Sequence, residues 1–474
     1  EMVRVLYKAE EDLRRYFYNK PLLIVHSNGG VARVAKTKAM DTHNSGPVAG
    51  LMGSIYMSNL YKLNNVITLD IGGTSTDVGL IKGGKVELSY QSEIAGIPIN
   101  LPIFEVQSVG AGGGSIAAAD GGAQAIKVGP QSAGALPGPA CYDLGGYNPT
   151  ATDADVVLGY IDPEYFLGGQ RILDKSKAVE AIQSDVSDAL DLEVEEAALK
   201  IHAQLALNAA NEIKRVLSAK GTKNTDFVLY AFGGAGGNYA CDIAKILDIK
   251  KVLTFQQNSV FSAFGSSITD VLHIYEEKKA VKLAPAAKAE ETGQIDFNGC
   301  VEALRKRAET DIRGEGFDLS EMKLSLELDM TSPKLKFSTT IESPRLALNE
   351  EPDVLAIMKA FQKKAQKAGF HDPHQSAIKI VNFRLKATAP IPHFRPLPVK
   401  AKGVSPKKAL KGKRPVYWQD GFAGTNIYER GLLKCGNVVE GPAIIEAEDT
   451  TYAIPAGWKF TVDEYMNGIM EEVI

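Results

Sequence analysis

The chain has 474 residues, with 53 Lys and Arg against 57 Asp and Glu for a net charge of −4, which excludes a generally basic nucleic-acid binder. Apolar residues make up 45% and charged residues 23%, the balance of a globular chain with several cores, and no run reaches the roughly 18 apolar residues of a membrane span. The four cysteines, Cys141, Cys241, Cys300 and Cys435, form no CxxC pair, so a disulfide framework or structural zinc site is not expected and a reducing cytoplasm is.

In chain order, residues 2–19 predict a charged amphipathic helix and 22–26 a buried strand, ended by Ser27-Asn28-Gly29-Gly30. Ser45-Gly46-Pro47 opens a helix of about ten residues. Strands are expected at 66–70, 77–82 and 85–90, the last two joined as a hairpin by Gly83-Gly84. Apolar residues at helical spacing (Leu199, Ile201, Leu205, Ala209, Ile213, Val216) predict a long helix over 197–219, with Gly221 as its stop. Strand 227–232, a glycine loop, helix 238–247 and strand 251–255 make a βαβ unit. Beyond residue 280 glycine thins out. Strands at 322–330 and 334–342, a helix at 352–369 and a strand at 377–387 follow. Residues 396–414 hold several prolines and seven Lys or Arg with no acid, and read as an exposed linker or loop. The expected division is therefore a core at 1–280, an α+β region at 281–395, the basic linker, and a small β-rich unit at 415–474.

Forty-five residues are glycine, and they cluster beside apolar runs. Such clusters mark loops where the backbone approaches a partner closely. In Asp70-Ile71-Gly72-Gly73-Thr74-Ser75-Thr76-Asp77, between two strands, the glycines let N–H groups reach an anion and three hydroxyls add donors. Asp70, at a strand end, suits a Mg²⁺ held through water. A tight polar hairpin is the competing reading of this segment. Gly233, Gly234, Ala235 and Gly236 lead into a helix N-terminus, where an anion or nucleotide is favoured; a close-packed strand-to-helix turn is the alternative. This loop is neither Walker A nor GxGxxG. Gly112, Gly113, Gly114 and Ser115 form a third loop, open to a substrate or nucleotide role or to plain packing. The histidines carry no metal or catalytic pattern: Pro373 separates His371 from His374, and His43, His202 and His273 are expected to be packed or hydrogen-bonded. Cys141 is expected to be a buried, unreactive thiol.

Taken together, these loops resemble the hydantoinase A/oxoprolinase family. DIGGTSTD resembles its second phosphate element. SNGG (27–30), SGPVAG (45–50), VGAGGGSIA (109–117), GPACYDLGG (138–146), TDADVVLG (152–159), FGGAG (232–236) and EGPAIIE (440–446) follow in the family's order. The resemblance implies an α/β, ribonuclease-H-like ATPase fold of the sugar kinase–Hsp70–actin type with a C-terminal α+β and β-rich region. It implies ATP and Mg²⁺ (or Mn²⁺) as cofactors. Residues 72–76 would cradle phosphates, Asp70 and Asp77 would serve catalysis with Asp70 toward the metal, and 233–236 would lie against adenosine. The family includes N-methylhydantoinases, 5-oxoprolinase and ketone carboxylases, which activate a carbonyl or enol oxygen by phosphorylation.

Val260-Phe261-Ser262-Ala263-Phe264-Gly265, with Asp270, His273, Tyr275 and Glu276 after it, resembles the ketone carboxylases. This points to the ATP-binding subunit of a multisubunit acetone- or acetophenone-like carboxylase acting on a ketone and bicarbonate. A cyclic-amide hydrolase and a non-catalytic scaffold subunit are the alternatives. The resemblance also implies a hydantoinase B-type partner subunit, and no nucleic acid or membrane. The family's first phosphate element does not occur in these 474 residues. A separate chain, or a longer polypeptide, is expected to supply it. Pro and His commonly follow GGAG in the family, whereas this chain has Gly237 and Tyr239; Gln107 stands where a His often precedes VGAGGGS.

Overall fold

Two neighbouring parallel strands, Val66–Ile71 and Val228–Phe232, run in register from Val66 beside Val228 to Asp70 beside Phe232. They form the middle of an eight-stranded sheet in the computed structural model. The model describes residues 1–473 except 19, 91, 95, 100, 121–124, 284–289, 333–337, 368 and 370–377. Lys251–Thr254 lies parallel to Val228–Phe232 on one side, which makes the expected βαβ unit. Thr76–Ile81 returns antiparallel to Val66–Ile71 on the other.

Both faces of this sheet are covered, and the near-continuous apolar sequence of its central strands follows from that. Ile67, Leu69 and Ile71 pack with the helices Ala151–Leu158, Val194–Ala219 and Gly236–Ile246. Val66, Tyr230 and Phe232 point the other way, toward the helices Ser45–Tyr61 and Phe261–Ser267. Full burial of each such aliphatic side chain contributes about 1.5–3 kcal/mol.

The chain divides into two compact units: Glu1–His43 with Thr269–Pro392, and Asn44–Ile268 with His393–Ile474. The expected boundaries at 280/281, 395/396 and 414/415 do not coincide with this division. Strand pairing is the reason. In the smaller unit Val31 pairs with Val271, and Val271–Glu277 pairs along Ile378–Ala389. Lys323–Thr331, Thr339–Glu342, Leu23–Val25 and Val281–Leu283 complete a seven-stranded sheet. The helices Glu290–Gly314 and Glu351–Lys367 cover it through Phe297, Leu304, Ile357 and Phe361. In the larger unit Gly468–Glu472 pairs with Lys251–Thr254 and extends the central sheet. The stretch expected to be a separate C-terminal unit therefore belongs to the same core, together with a four-stranded sheet of Leu410–Trp418, Gly421–Glu429, Ala443–Glu446 and Thr451–Ile454.

Two local expectations change. After Gly83-Gly84 the hairpin closes with a single bridge, Lys82 to Lys85, and Leu88–Ser89 pairs with Ile103–Phe104 instead. Gln107–Val109 is the strand that flanks Thr76–Ile81. The basic stretch 396–414 is not a free linker: Val399 and Lys402 donate backbone bonds to Glu464 and Cys435, and from Leu410 onward it is strand. His371 and His374 lie outside the described residues. All four cysteines are free and buried, and burial pushes the Cys141 thiol pKa far up, as expected of an unreactive side chain.

Candidate functional site

The carboxyl ends of adjacent parallel strands are where open α/β sheets bind ligands. Here Asp70 and Ile71 close one strand and Phe232, in register with Asp70, the next, so the Gly72–Ser75 turn and the Gly233–Gly236 turn leave the sheet side by side. The Ala235 N–H donates to the Ile71 carbonyl at 3.1 Å, joining them directly. Gly233 is required at its position. Its φ is +84°, and a Cβ there would strike Asp70 Oδ1 and the Ile71 carbonyl. Asn258 holds it from the far side: the Gly233 N–H donates to the Asn258 carbonyl at 2.9 Å, and Asn258 Nδ2 donates to the Gly233 carbonyl at 3.1 Å.

The third glycine loop lies beneath the first. Gly113 and Gly114 donate their N–H groups to the carbonyls of Gly72 and Gly73, at 3.0 and 2.6 Å. Ser115 Oγ accepts from the Gly112 N–H at 2.8 Å. These donors are engaged within the protein, so the loop supports the Gly72–Ser75 turn; of its residues Gly113 lines the cleft wall. Thr76 is likewise buried, its hydroxyl bound to the Ala111 carbonyl. Thr74 and Gly73 remain exposed at the tip.

Asp70 and Asp77 are directly opposite across the antiparallel pair, so both carboxylates share one face. Ser262 Oγ donates to Asp70 Oδ2 at 3.2 Å, and Ser108 Oγ donates to Asp77. Burial, and then the charge of Asp77, pushes the Asp70 carboxyl up to about 6. Burial also raises Asp77, against the Ser108 bond. Two hard oxygen donors on one face of the sheet fit a Mg²⁺ that completes its shell with water and phosphate. Among the described residues no group of three or more His, Cys, Asp or Glu is placed to hold a metal alone.

A cleft of about 220 Å³ opens from Gly72, Gly73 and Gly113 past Gly234 and Ala235. Its far wall has an apolar part, including Tyr142, Ile161, Phe166 and Leu167, and a turn from the C-terminal strands, 446–451. Thr450 Oγ1 donates to the Gly234 carbonyl at 3.0 Å. Glu446 in this wall is held by Lys411 at 2.6 Å and by Arg414. Arg171 stacks on Tyr142 at 4.2 Å. These wall residues lie 70 to 380 positions from DIGGTSTD; Tyr142 and Glu446 fall in the GPACYDLGG and EGPAIIE motifs, whereas Ile161, Phe166 and Leu167 lie in no motif that marked the site.

Gly237 and Tyr239, the departures from the family pattern, have local reasons. A Cβ at Gly237 would meet Tyr452 Cδ1 at 2.6 Å, so the strand Thr451–Ile454 can approach only glycine. Tyr239 stacks on His202, with centroids 4.2 Å apart and planes 15° apart. Its hydroxyl donates to Asp155 Oδ2 at 3.0 Å. Gln107 accepts from Arg215 at 3.0 Å.

The profile described as "Hydantoinase/oxoprolinase" matches residues 2–275, and that described as "Hydantoinase/oxoprolinase C-terminal domain" matches 284–469. The chain belongs to the hydantoinase/oxoprolinase family. It is 38% identical to the acetophenone carboxylase gamma subunit of Aromatoleum aromaticum over 98% of this chain and 64% of that protein. It is 31% identical to caprolactamase subunit alpha of Pseudomonas jessenii, over 94% of this chain and 64% of that one. The nucleotide-free structure of acetone carboxylase superposes with a TM-score of 0.89 at 27% identity, covering 99% of this chain and 67% of that chain. The expected α/β fold is thus borne out. The chain spans about two thirds of the length of these relatives. None of the helices among the described residues is long and apolar enough to cross a membrane.

Proposed function

We propose that this chain contributes the nucleotide cleft of an ATP-dependent enzyme that activates a carbonyl compound by phosphorylation, most closely of the ketone carboxylase type. One observation carries the reading: the Gly72–Ser75 turn, the Gly233–Gly236 turn and the Asp70–Asp77 pair converge at the carboxyl ends of two adjacent strands. Mg²⁺ bound with ATP would neutralise phosphate charge. The chain's own residues do the rest. Gly73 and Thr74 sit at the exposed tip where phosphate oxygens would be received. Asp70 and Asp77 orient the cation, and Ser262 and Ser108 fix their rotamers. The apolar wall at Tyr142 and Phe166 takes the base. Catalysis here is positioning and charge neutralisation in phosphoryl transfer.

The acceptor in this proposal is the oxygen of a ketone enol or of bicarbonate, supported by the 38% identity to a ketone carboxylase subunit. The 31% identity to a caprolactamase subunit supports the second reading, ring opening of a cyclic amide. Other subunits, including one of hydantoinase B type, and the first phosphate element complete the assembly in either case. The test is phosphate release from MgATP by the native assembly. Release that depends on acetophenone or acetone with bicarbonate supports the first reading. Release that depends on caprolactam or hydantoin supports the second, and release with neither class leaves the scaffold alternative standing.

A further inference from the structure

The helix Ala151–Leu158 reaches toward both glycine turns of the site, through Gly113 on one side and through the first turn of Gly236–Ile246 on the other. At its first turn the Thr152 N–H and Oγ1 both donate to the Gly113 carbonyl, each at 2.8 Å. Gly113 in turn donates to Gly72 of the phosphate-type turn at 3.0 Å. One turn later the buried Asp155 carboxylate accepts from Asn238 Nδ2 at 3.3 Å and from the Tyr239 hydroxyl at 3.0 Å. Both residues lie in the first turn of Gly236–Ile246, the helix that the Gly233–Gly236 turn opens into. The other Asp155 oxygen is held by His202 Nδ1 at 2.7 Å, and His202 Nε2 lies 3.2 Å from Asp242. Burial lowers the His202 pKa, but the two carboxylates outweigh it and bring the pKa up to about 9. The imidazolium therefore balances Asp155 at neutral pH.

We infer that Asp155 is a positioning residue that locks the Gly233–Gly236 turn to the Gly72–Ser75 turn, so that one ligand spanning both meets them at a fixed separation. The inference rests on the nucleotide reading of the cleft. A ligand long enough to touch both turns gains from their fixed spacing, because no reorganisation is then needed on binding. A ligand that touches only one turn gains nothing from it. This difference separates positioning from a general structural role.

The experiment uses the full-length protein with its co-purifying subunits and titrates three probes calorimetrically in the presence of Mg²⁺: ATP, adenosine and inorganic tripolyphosphate. Asp155→Asn keeps the shape and removes the charge. Tyr239→Phe removes one hydroxyl and is the gentler variant if Asp155→Asn fails to fold. Each folded variant is expected to weaken ATP binding by about tenfold or more, while adenosine and tripolyphosphate stay within about twofold of the parent protein. Unchanged ATP affinity in the folded variants overturns the inference, as does an equal loss for all three probes. A parent protein that binds none of the three overturns the nucleotide reading itself, and the inference with it.

Discussion

Asp70 and Asp77 face each other across the first antiparallel pair of the central sheet, and their described hydrogen-bond partners are both serines, Ser262 and Ser108. Two half-buried carboxylates held this way repel one another, which disfavours the charged form of each. The site therefore carries an electrostatic strain that a bound cation would relieve.

Replacing Asp70 with Asn removes that strain along with the proposed cation ligand. Asp70→Asn is expected to raise the melting temperature by roughly 2–4 °C for each kcal/mol of repulsion relieved. MgATP turnover is expected to fall by about 100-fold or more. Calorimetric melting and a phosphate-release assay check both. Surviving turnover would remove Asp70 from the site.

The raised Asp70 pKa gives a pH dependence with a definite sign. The native carboxyl titrates at about 6, against 3.8 for the ordinary group, so the native state holds its proton more tightly than the unfolded chain. This contribution to stability increases as the pH falls from about 6 toward 3.8. Cation binding should pull the pKa down and release a proton. At pH 6, titration with MgATP in two buffers of different ionisation enthalpy should show proton release that fades by pH 8 and is absent in Asp70→Asn. Equal release in the variant would place the proton elsewhere.

His202 behaves in the opposite sense. Its folded pKa is about 9, against 6.5 for the ordinary imidazole. The stabilisation is fully present below 6.5 and is lost as the pH rises through 9. Asp155, Asp242, Tyr160 and Tyr239 surround the ring. His202→Gln leaves the buried Asp155 charge without its cation and is expected to cost about 3–5 kcal/mol at pH 7. Urea unfolding from pH 6 to 10 should show the parent's decline flattened in the variant. Identical pH profiles would mean that the imidazole is neutral.

Two adjacent glycines should respond differently. A Cβ at Gly233 strikes Asp70 and Ile71, in a backbone conformation that L-residues avoid, whereas one at Gly234 meets only the Asp449 carbonyl at 3.8 Å. Gly233→Ala should destabilise the fold by about 1–3 kcal/mol or more. Gly234→Val should fold and lose ATP affinity by filling the cleft. Circular dichroism melts and ATP titrations separate the two, and normal ATP binding by Gly234→Val would move the nucleotide away from this turn.

Much of the site was legible in one dimension. DIGGTSTD and FGGAG read as loops because glycine clusters between apolar runs announce close backbone approach, and the periodicity of 197–219 announced the helix now seen at Val194–Ala219. Thr76 and the 112–115 loop illustrate the limit. Hydroxyl and N–H donors in a glycine-rich segment look available for a ligand, but whether another backbone segment has already taken them depends on what folds beneath.

The sequence by itself determined most of the local elements, the α/β class and, through the order of its motifs, the family. Periodicity and glycine placement are short-range properties, and they survive without knowledge of pairing. Only the tertiary structure decided that Gly468–Glu472 extends the central sheet, that 446–451 forms the cleft wall, and that Asp155 joins His202 to Tyr239. Those contacts cross tens to hundreds of residues. They are selected by complementary shape and charge in the folded core, which no local window of sequence contains.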